Sequence, residues 1–429
     1  MKPNPLVFIE LNEFNRDLLA QCSERFELPA IRSLLALRET KTFSVDTPAG
    51  KFLEPWCQWV TVHTGRRSAE HLIKHLGDVP GLKFPQIWES LSRQGISSGV
   101  WGVMNGSRGD AEKCRFFVPD PWTYSERAAP AALNYLVDLP RYVVKNRKNI
   151  RIGKVLALLL GSARILKNSR VVAAVLLDAP QVAARTFRDG FKEYISFTFF
   201  EYLSALEFVR MWKKTRPQAS FLFLNTMAHL QHYYWDLGKA ENEARFEYSM
   251  RFIDRAIRKI LDLECEVVLY NALSQDPYNQ DPPVTGYRPF DQEYFLRKLG
   301  VPHRKVEALM THDAILFCGS AADAQESRRL LQSLTIAGVP LMQVENYQGD
   351  PLRLFYQVQF MSPIALGTQV EFPGGNFDFW SVFRVVGTVT GTHVPAGNLF
   401  SSLGIFPDRI ENSEVMGHVE RYFRGPHAA

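Results

Sequence analysis

The chain has 429 residues, of which 46% are hydrophobic and 22% are charged, as in ordinary globular proteins. This length allows one large α/β domain with insertions, or two domains. The formal net charge of +5 is too small to indicate a nucleic-acid partner, and we expect none.

The five cysteines are odd in number and form no Cys-x-x-Cys pair. We therefore expect a reducing compartment rather than a disulfide framework. No apolar run approaches the ~20 residues that span a bilayer. The first residues, Met-Lys-Pro-Asn-Pro, do not resemble a secretory signal. These features predict a cytoplasmic protein.

Residues 6–128 alternate between strand-like and helix-like patterns, which predicts a parallel sheet with helical crossovers. The predicted elements are a strand at 6–12, helices near 28–38, 56–65 and 85–95, and a strand at 97–105. Residues 130–215 instead show long helical patterns rich in Leu, Ala, Val and Phe. Strand patterns return at 219–225, 265–271, 313–318 and 383–389.

The predicted fold class is therefore α/β, with a central, mostly parallel sheet flanked by helices and a helical cap insertion. The predicted boundaries are an α/β core at 1–128 and 216–410, a cap at 129–215, a smaller insertion at 274–308 with a helix near 290–299, and a C-terminal tail at 411–429.

Four apolar runs each end at an asparagine, and these residues are Asn12, Asn105, Asn225 and Asn271. Short bounded apolar runs are typical of buried strands. Ligands gather where the carboxyl ends of parallel strands meet. The sequence therefore predicts a crevice lined with carboxamides.

A basic segment lies within the predicted cap. Nine lysines or arginines and no acidic residue occur from Arg141 to Arg170, around the apolar run at 155–160. Basic residues beside an apolar helix suit an anionic membrane surface or a polyanionic substrate. A solvated helical face is the alternative interpretation. Peripheral membrane contact through Arg141 to Arg170 is therefore one hypothesis, and a solvated helical face is the other.

Several motifs occur in a fixed order along the chain. They are Leu11-Asn12-Glu13-Phe14, Val62-His63-Thr64-Gly65-Arg66, Pro85-Gln86-Ile87-Trp88, Gly99-Val100-Trp101-Gly102, Asn225-x-x-x-His229, Asn271-Ala272 and Gly391-Thr392-His393. In order and strand context they resemble the alkaline phosphatase superfamily, and within it the type I phosphodiesterase/nucleotide pyrophosphatase branch. The resemblance spans residues 6–405 apart from the cap.

The resemblance implies two divalent metal sites. The first maps to Asn225, His229 and His393, which keep both imidazoles but lack the family's aspartate. The second maps to Asn12, a position near Glu54, and Asn271-Ala272, where both carboxylates and the histidine are missing.

These departures change the expected chemistry. Zinc prefers thiolate, imidazole and carboxylate ligands, so a metal held by amides alone is not expected, and the two-metal mechanism is rejected. Two options stay open: one zinc or manganese ion at a weak site of Asn225, His229 and His393, or no metal.

The family's nucleophile position falls on Pro55, which has no nucleophilic atom, so Glu54 becomes the candidate. A carboxylate at a helix N-terminus is stabilised by the helix dipole and free amides. Glu13 replaces the family's glycine. With Glu54 it would form a carboxylate pair, which suits acid/base catalysis. Cys57 would need a lowered pKa to act as a nucleophile.

Histidines and polar side chains complete the predicted site. His229 and His232 share a helix face after Asn225 and are candidate catalytic residues. Arg108 would clamp a phosphate or sulfate. His71 is expected at the surface. The candidate substrate-binding residues are Asn12, Gln58, Asn105, Arg108, Asn271, Ser274 and Gln275.

Three functions fit these residues. The first is a divergent alkaline phosphatase-like hydrolase or transferase with at most one metal. Its substrate would be a phosphate- or sulfate-bearing sugar, nucleotide or lipid-linked intermediate. The second is a metal-independent glycan or acyl transferase that uses Glu54 and Glu13. The third is a catalytically inactive anion-binding pseudoenzyme. The retention of His229 and His393 favours an enzyme.

Overall fold

The computed structural model describes residues 3–46, 53–145, 168–278, 284–309, 313–347 and 349–425. The chain divides into two compact units. The first comprises Met1–Arg141, Arg151–Pro277 and Gly391–Ala429, and the second comprises Tyr142–Ile150 and Tyr278–Thr390. All candidate site residues belong to the first unit. The smaller insertion predicted at 274–308 overlaps the second unit, which continues to Thr390.

An eight-stranded sheet forms the centre of the first unit. In spatial order its strands are β20 (Arg409–Glu411), β2 (Arg38–Phe43), β19 (Ala396–Ser401), β6 (Glu266–Tyr270), β1 (Leu6–Leu11), β5 (Ala219–Leu224), β3 (Ser98–Trp101) and β4 (Cys114–Val118). Strands β6, β1, β5, β3 and β4 run parallel, and β19 runs antiparallel to both of its neighbours. The predicted α/β class with a mostly parallel sheet is confirmed.

Helices flank this sheet. They are α1 (Arg16–Arg25), α2 (Pro29–Leu35), α3 (Pro55–Thr64), α4 (Ser68–His71), α5 (Ile87–Arg93), α6 (Tyr135–Lys145), α7 (Ser169–Asp189), α8 (Glu193–Thr215), α9 (Thr226–Tyr234), α10 (Ala240–Leu261) and α13 (Val415–Arg424). A short antiparallel pair, β7 (Ser274–Pro277) with β18 (Gly391–Val394), completes the unit. The helices predicted near 28–38, 56–65 and 85–95 are present as α2, α3 and α5.

Local sequence explains the ends of α3. Pro55 occupies its first position, where the missing N–H is not needed for the helix and the fixed φ favours helix. Gly65 ends the helix with a φ of 64°, a left-handed conformation that glycine adopts without a side-chain clash. Glu54 precedes Pro55 in an extended conformation.

The second unit has its own sheets and its own hydrophobic cluster. One sheet runs β13 (Met342–Tyr347), β14 (Asp350–Val358), β10 (Asp313–Phe317), β9 (Lys305–Ala308). Another runs β12 (Val339–Pro340), β11 (Thr335–Ile336), β15 (Gln369–Phe372), β16 (Gly375–Asp378). A third pairs β17 (Phe383–Thr388) with β8 (Thr285–Pro289). Its helices include α11 (Gln292–Lys298) and α12 (Ala321–Gln332).

The strands predicted at 313–318 and 383–389 exist as β10 and β17, but they do not join the central sheet. Alternation of apolar residues identifies a strand, whereas its partner depends on the tertiary fold.

Helix α8, from the segment predicted as a cap, covers one face of the central sheet. The Phe208 ring lies 6.0 Å from that of Trp101 on β3 and 5.8 Å from that of Phe116 on β4, measured between centroids. Phe208 also shares one buried hydrophobic cluster with Ile9 and Leu222. This helix is therefore part of the main core.

Most of the predicted basic segment, residues 146–167, lies outside the described residues. Arg141 is described and is buried. Its guanidinium donates hydrogen bonds to the carbonyl oxygens of Glu126 and Thr123, at 2.8 and 2.5 Å. This arginine therefore holds a loop rather than facing a partner. No described helix is long and apolar enough to cross a membrane.

Gly99 in β3 makes room for the buried Phe116 ring. A Cβ at Gly99 would lie 2.2 Å from Cζ of Phe116. We expect Gly99→Ala to lower the free energy of unfolding by about 1–3 kcal/mol, because the ring must move. Urea denaturation measures this loss. Gly81→Ala is the matched control, since no heavy atom lies within 4 Å of a Cβ there. Equal losses in both variants would contradict this packing role.

Candidate functional site

The Asn12 side chain links the carboxyl ends of two neighbouring strands, β1 and β5. Its Oδ1 accepts a hydrogen bond from Trp59 Nε1 at 2.7 Å. Its Nδ2 donates to Asn225 Oδ1 at 2.8 Å and to Glu13 Oε1 at 2.7 Å. Asn12 follows β1 and Asn225 follows the adjacent β5. The Asn12 amide is therefore fully engaged and orients the Glu13 carboxylate.

Glu13 has a left-handed backbone, with a φ of 57°. This conformation costs a non-glycine residue about 1–2 kcal/mol. Gln231 on α9 supports it, because Gln231 Nε2 donates to the Glu13 carbonyl oxygen at 2.8 Å. Strain that the surroundings hold in place is a feature of functional sites.

Two histidines lie within hydrogen-bond distance of the Glu13 carboxylate. Nε2 of His232 lies 3.0 Å from Glu13 Oε2, and Nε2 of His393 lies 3.1 Å from the same oxygen. Gln275 Nε2 also donates to this oxygen. One ligand atom from each of Glu13, His232 and His393 can be chosen so that all lie within 4.8 Å of one another. We call these three residues the Glu13 cluster.

Separate elements carry the two histidines. His232 lies in the last turn of α9, and the first turn of that helix is held by Glu201. The Glu201 carboxylate accepts hydrogen bonds from the Asn225 and Thr226 backbone N–H groups, at 2.5 and 3.1 Å. His393 lies on β18, directly opposite Gln275 on β7. The β7–β18 pairing therefore places His393 beside the cluster.

The charges in the cluster reinforce one another. Burial alone would raise the pKa of Glu13, but the charges of His393 and His232 and their hydrogen bonds hold it well below its usual range. Burial alone would lower the pKa of His393, but the Glu13 charge and hydrogen bond, with Glu54, raise it to about 9. In the metal-free protein at neutral pH, Glu13 is therefore ionised and His393 protonated.

Glu54 contacts the other edge of the His393 ring. Its Oε2 lies 3.4 Å from His393 Nδ1, whereas Glu13 is bound at Nε2. The two carboxylates that the sequence predicts as a pair therefore lie on opposite sides of one imidazole. The His393 imidazole lies between them.

Two members of the predicted metal triplet of Asn225, His229 and His393 have contacts that the structure describes. The His229 ring lies 5.3 Å from Tyr233 and 6.0 Å from Phe197, measured between centroids. The Asn225 oxygen accepts the Asn12 amide. The carboxylate and imidazole groups that the structure brings together are those of Glu13, His232 and His393, and His232 lies three residues further along α9 than His229.

The four asparagines predicted to line one crevice make different contacts, and one pair of them is joined by a hydrogen bond. Asn12 and Asn225 contact each other at the cluster. Asn271 is fully buried: its Nδ2 donates to the Phe14 carbonyl oxygen at 2.7 Å, and its Oδ1 accepts from Asn398 N at 2.9 Å. Ser274 Oγ also donates to the Phe14 carbonyl oxygen, at 3.0 Å. Asn271 and Ser274 therefore hold the backbone around β1.

Asn105 has a comparable structural role at the end of β3. Its Nδ2 donates to the carbonyl oxygens of Trp56 and His75, at 2.9 and 3.1 Å. Its Oδ1 accepts from Gly77 N at 2.7 Å. Asn105 therefore joins its own loop to the first turn of α3 and to the loop that holds His75 and Gly77.

Gln58 and Arg108 also contact residues other than the cluster. Gln58 Nε2 donates to Asp46 Oδ2 at 2.5 Å, and its Oε1 accepts from Asn412 at 3.1 Å. The Arg108 backbone N–H donates to Glu126 Oε2 at 3.2 Å.

The cysteines give no nucleophile. All five are free thiols. Burial, together with the nearby Glu54 charge, raises the pKa of Cys57 well above its usual value. A thiol that stays protonated at neutral pH does not attack an ester.

His71 is buried rather than at the surface as expected. Its Nδ1 accepts a hydrogen bond from Ile73 N at 3.0 Å, and its Nε2 lies 3.0 Å from Thr61 Oγ1. Burial lowers the pKa of His71 to about 4. Protonation would also place an N–H against the Ile73 N–H, so the neutral ring is the form that the fold requires.

A pH dependence of stability follows. Because the folded-state pKa of His71 is lowered, its contribution is present above pH 6.5 and is lost as the pH falls through 4. Between pH 6.5 and pH 4, the free energy of unfolding should therefore fall by about 3 kcal/mol more in the wild type than in His71→Gln. The glutamine side chain cannot take up the proton. Urea denaturation at several pH values measures this. Parallel pH profiles would contradict it.

The comparisons with known proteins give distant structural neighbours. Phosphonoacetate hydrolase from Sinorhizobium meliloti 1021, in complex with phosphonoformate, matches with a TM-score of 0.45 and 13% identity. The match covers 98% of this chain and 96% of that chain. Murine ectonucleotide pyrophosphatase/phosphodiesterase 5 matches with a TM-score of 0.45 and 8% identity, covering 98% and 95%. No family model and no curated protein matches the sequence.

At these TM-scores the neighbours assign no activity to this chain. The chain is a mixed α/β protein with a large, mostly parallel central sheet flanked by helices.

Proposed function

We propose that the chain is a hydrolase of phosphate or sulfate esters that works with one divalent cation held by the Glu13 cluster. The observation that carries this proposal is the convergence of one carboxylate and two imidazoles, from Glu13, His232 and His393, within 4.8 Å. Two histidines and a glutamate form a known ligand set for catalytic zinc, with a coordination position left for water or substrate.

The residues that contact the proposed ligands also fit a metal site. A histidine that binds a metal commonly has its other ring nitrogen hydrogen-bonded to a carboxylate. Glu54 lies in that position relative to His393, and Asn12 holds the second oxygen of Glu13. These contacts would fix the direction of both ligands.

The amide of Asn225 is the nearest candidate for substrate contact. Its oxygen accepts from Asn12, and the side chain is part-buried. Its Nδ2 then remains as a donor toward an anionic ester oxygen. A bound cation would supply Lewis acidity and lower the pKa of a coordinated water. Glu13, His232 and His393 would bind and orient it, and Glu54 would position His393.

The metal-independent transferase has less support from the geometry. The pKa of Glu13 is held well below its usual range. A carboxylate of that kind neither donates a proton nor accepts one efficiently at neutral pH. Glu13 and Glu54 are also separated by the His393 ring, so the pair is not arranged around a substrate bond.

Metal content and ester hydrolysis, measured together, test the proposal. Protein purified without chelator should hold about one zinc or manganese per chain by mass spectrometry. His232→Ala and His393→Ala should lose it, whereas His229→Ala, on the same helix but outside the cluster, should keep it. Hydrolysis of aryl phosphate mono- and diesters and aryl sulfates should follow metal content. A metal-loaded protein that hydrolyses none of them would contradict the proposed activity.

A further inference from the structure

Helix α7 exposes a continuous apolar stripe. Its most exposed members are Leu176 and Leu177, at 72% and 75% of their full surface, and Phe187 at 95%. Phe191, just beyond the helix, is 99% exposed. Soluble monomers rarely expose large contiguous apolar patches, and those that do commonly use them for binding.

The spacing shows that the stripe is one face of the helix. Ala173, Leu177, Pro180, Ala184 and Phe187 follow one another at intervals of three or four residues, Leu176 lies beside Leu177, and all six are exposed. The opposite face holds buried Val171 and Ala174, which pack in the main core. The helix therefore has an apolar face on the protein and a second apolar face on the solvent side.

The charges around the stripe are mainly positive. Arg170 lies at its beginning, and Arg188 and Lys192 lie at its end, all exposed. The two aspartates of α7 are paired with arginines. Asp178 binds Arg255 through two contacts of 2.8 Å, and Asp189 lies 2.8 Å from Arg185. One further acidic residue, Glu193, follows Lys192.

The sequence just before α7 adds to this charge. Residues 146–167 contain six lysines or arginines and no acidic residue, namely Arg147, Lys148, Arg151, Lys154, Arg164 and Lys167. These residues directly precede Asn168 and α7 in the sequence. Each basic residue near an anionic bilayer contributes to binding.

We propose that the exposed face of α7 docks on the surface of an anionic lipid bilayer, with Phe187 and Phe191 inserted among the headgroups. An amphipathic helix with aromatic residues on one face and cations beside it is suited to lie in the membrane interface. A second copy of the chain is a poorer partner. In a two-fold contact through this stripe, arginines and lysines of one copy would face those of the other.

Vesicle co-sedimentation of the full chain tests this inference without reference to metal or activity. The probes are phosphatidylcholine vesicles with and without phosphatidylglycerol. We expect wild-type partitioning to be about tenfold stronger on the anionic vesicles and to weaken at high salt. The double substitution Phe187→Ser with Phe191→Ser should reduce binding by about tenfold or more. Arg188→Glu with Lys192→Glu should remove most of the preference for anionic lipid.

The matched control is Leu366→Ser, because Leu366 is 89% exposed but lies in the second unit. It should bind vesicles like the wild type. Circular dichroism checks that each variant is folded, which is expected because the substituted side chains are exposed. Unchanged binding by the Phe187/Phe191 double variant would overturn the proposal. So would a wild-type dimer, seen by light scattering, that the double variant converts to a monomer.

Discussion

Glu13→Gln should abolish metal binding and ester hydrolysis. The substitution removes the carboxylate of the Glu13 cluster and turns an amide toward His232 and His393. Loss of a residue behind a metal ligand typically lowers metal affinity about 10–100-fold. Loss of a ligand itself should therefore exceed about 100-fold. Competition against a chromophoric chelator measures the affinity, and aryl ester turnover measures activity.

Two further variants make this result interpretable. Glu13→Gly removes the carboxylate and also relieves the left-handed strain at φ 57°. This relief offsets part of the cost of leaving the Asn12 and Gln275 donors without their acceptor, so the variant should fold while binding no metal. Glu54→Gln keeps every proposed ligand and should give the intermediate, 10–100-fold loss. If Glu13→Gln and Glu13→Gly both retain wild-type metal affinity, Glu13 is not a ligand.

The second large effect concerns a buried pair that the sequence did not single out. Glu10 Oε1 on β1 lies 2.7 Å from His63 Nε2 on α3, and both side chains are fully buried. The rings of Trp59, Trp88 and Phe221 surround the imidazole. Breaking such a pair by removing one partner typically costs about 3–5 kcal/mol, because the other is left buried and uncompensated.

We therefore expect Glu10→Leu and His63→Leu each to lower the free energy of unfolding by about 3–5 kcal/mol. The double variant should lose much less free energy of unfolding than the two single variants added together. In the double variant two apolar side chains replace the pair, and no polar group is left buried without its partner. Urea denaturation of all four proteins closes the cycle. Additive losses would show that the two side chains do not depend on each other.

The local pattern of the sequence predicts much of this fold. Short apolar runs identified β1, β3, β5 and β6, and the structure places these strands side by side and parallel. Pro55 and Gly65 marked the ends of α3. These features depend on the period of apolar residues and on the conformational preferences of proline and glycine, which act within a few residues.

The site depended on contacts between distant parts of the chain. The sequence identified Glu13, His232 and His393 as candidates, but it assigned the metal to Asn225 and His229 with His393. Which histidine of α9 reaches the cluster depends on the rotation of that helix. Sequence spacing alone does not set this rotation.

The sequence by itself determined an α/β chain with polar residues at its strand ends. The tertiary structure decided the rest. The left-handed backbone turned Glu13 inward, and the register of β18 against β7 set His393 beside it. The same structure separated β10 and β17 from the central sheet. Each of these features depends on contacts between residues that are far apart in the sequence. Local sequence patterns do not predict such contacts.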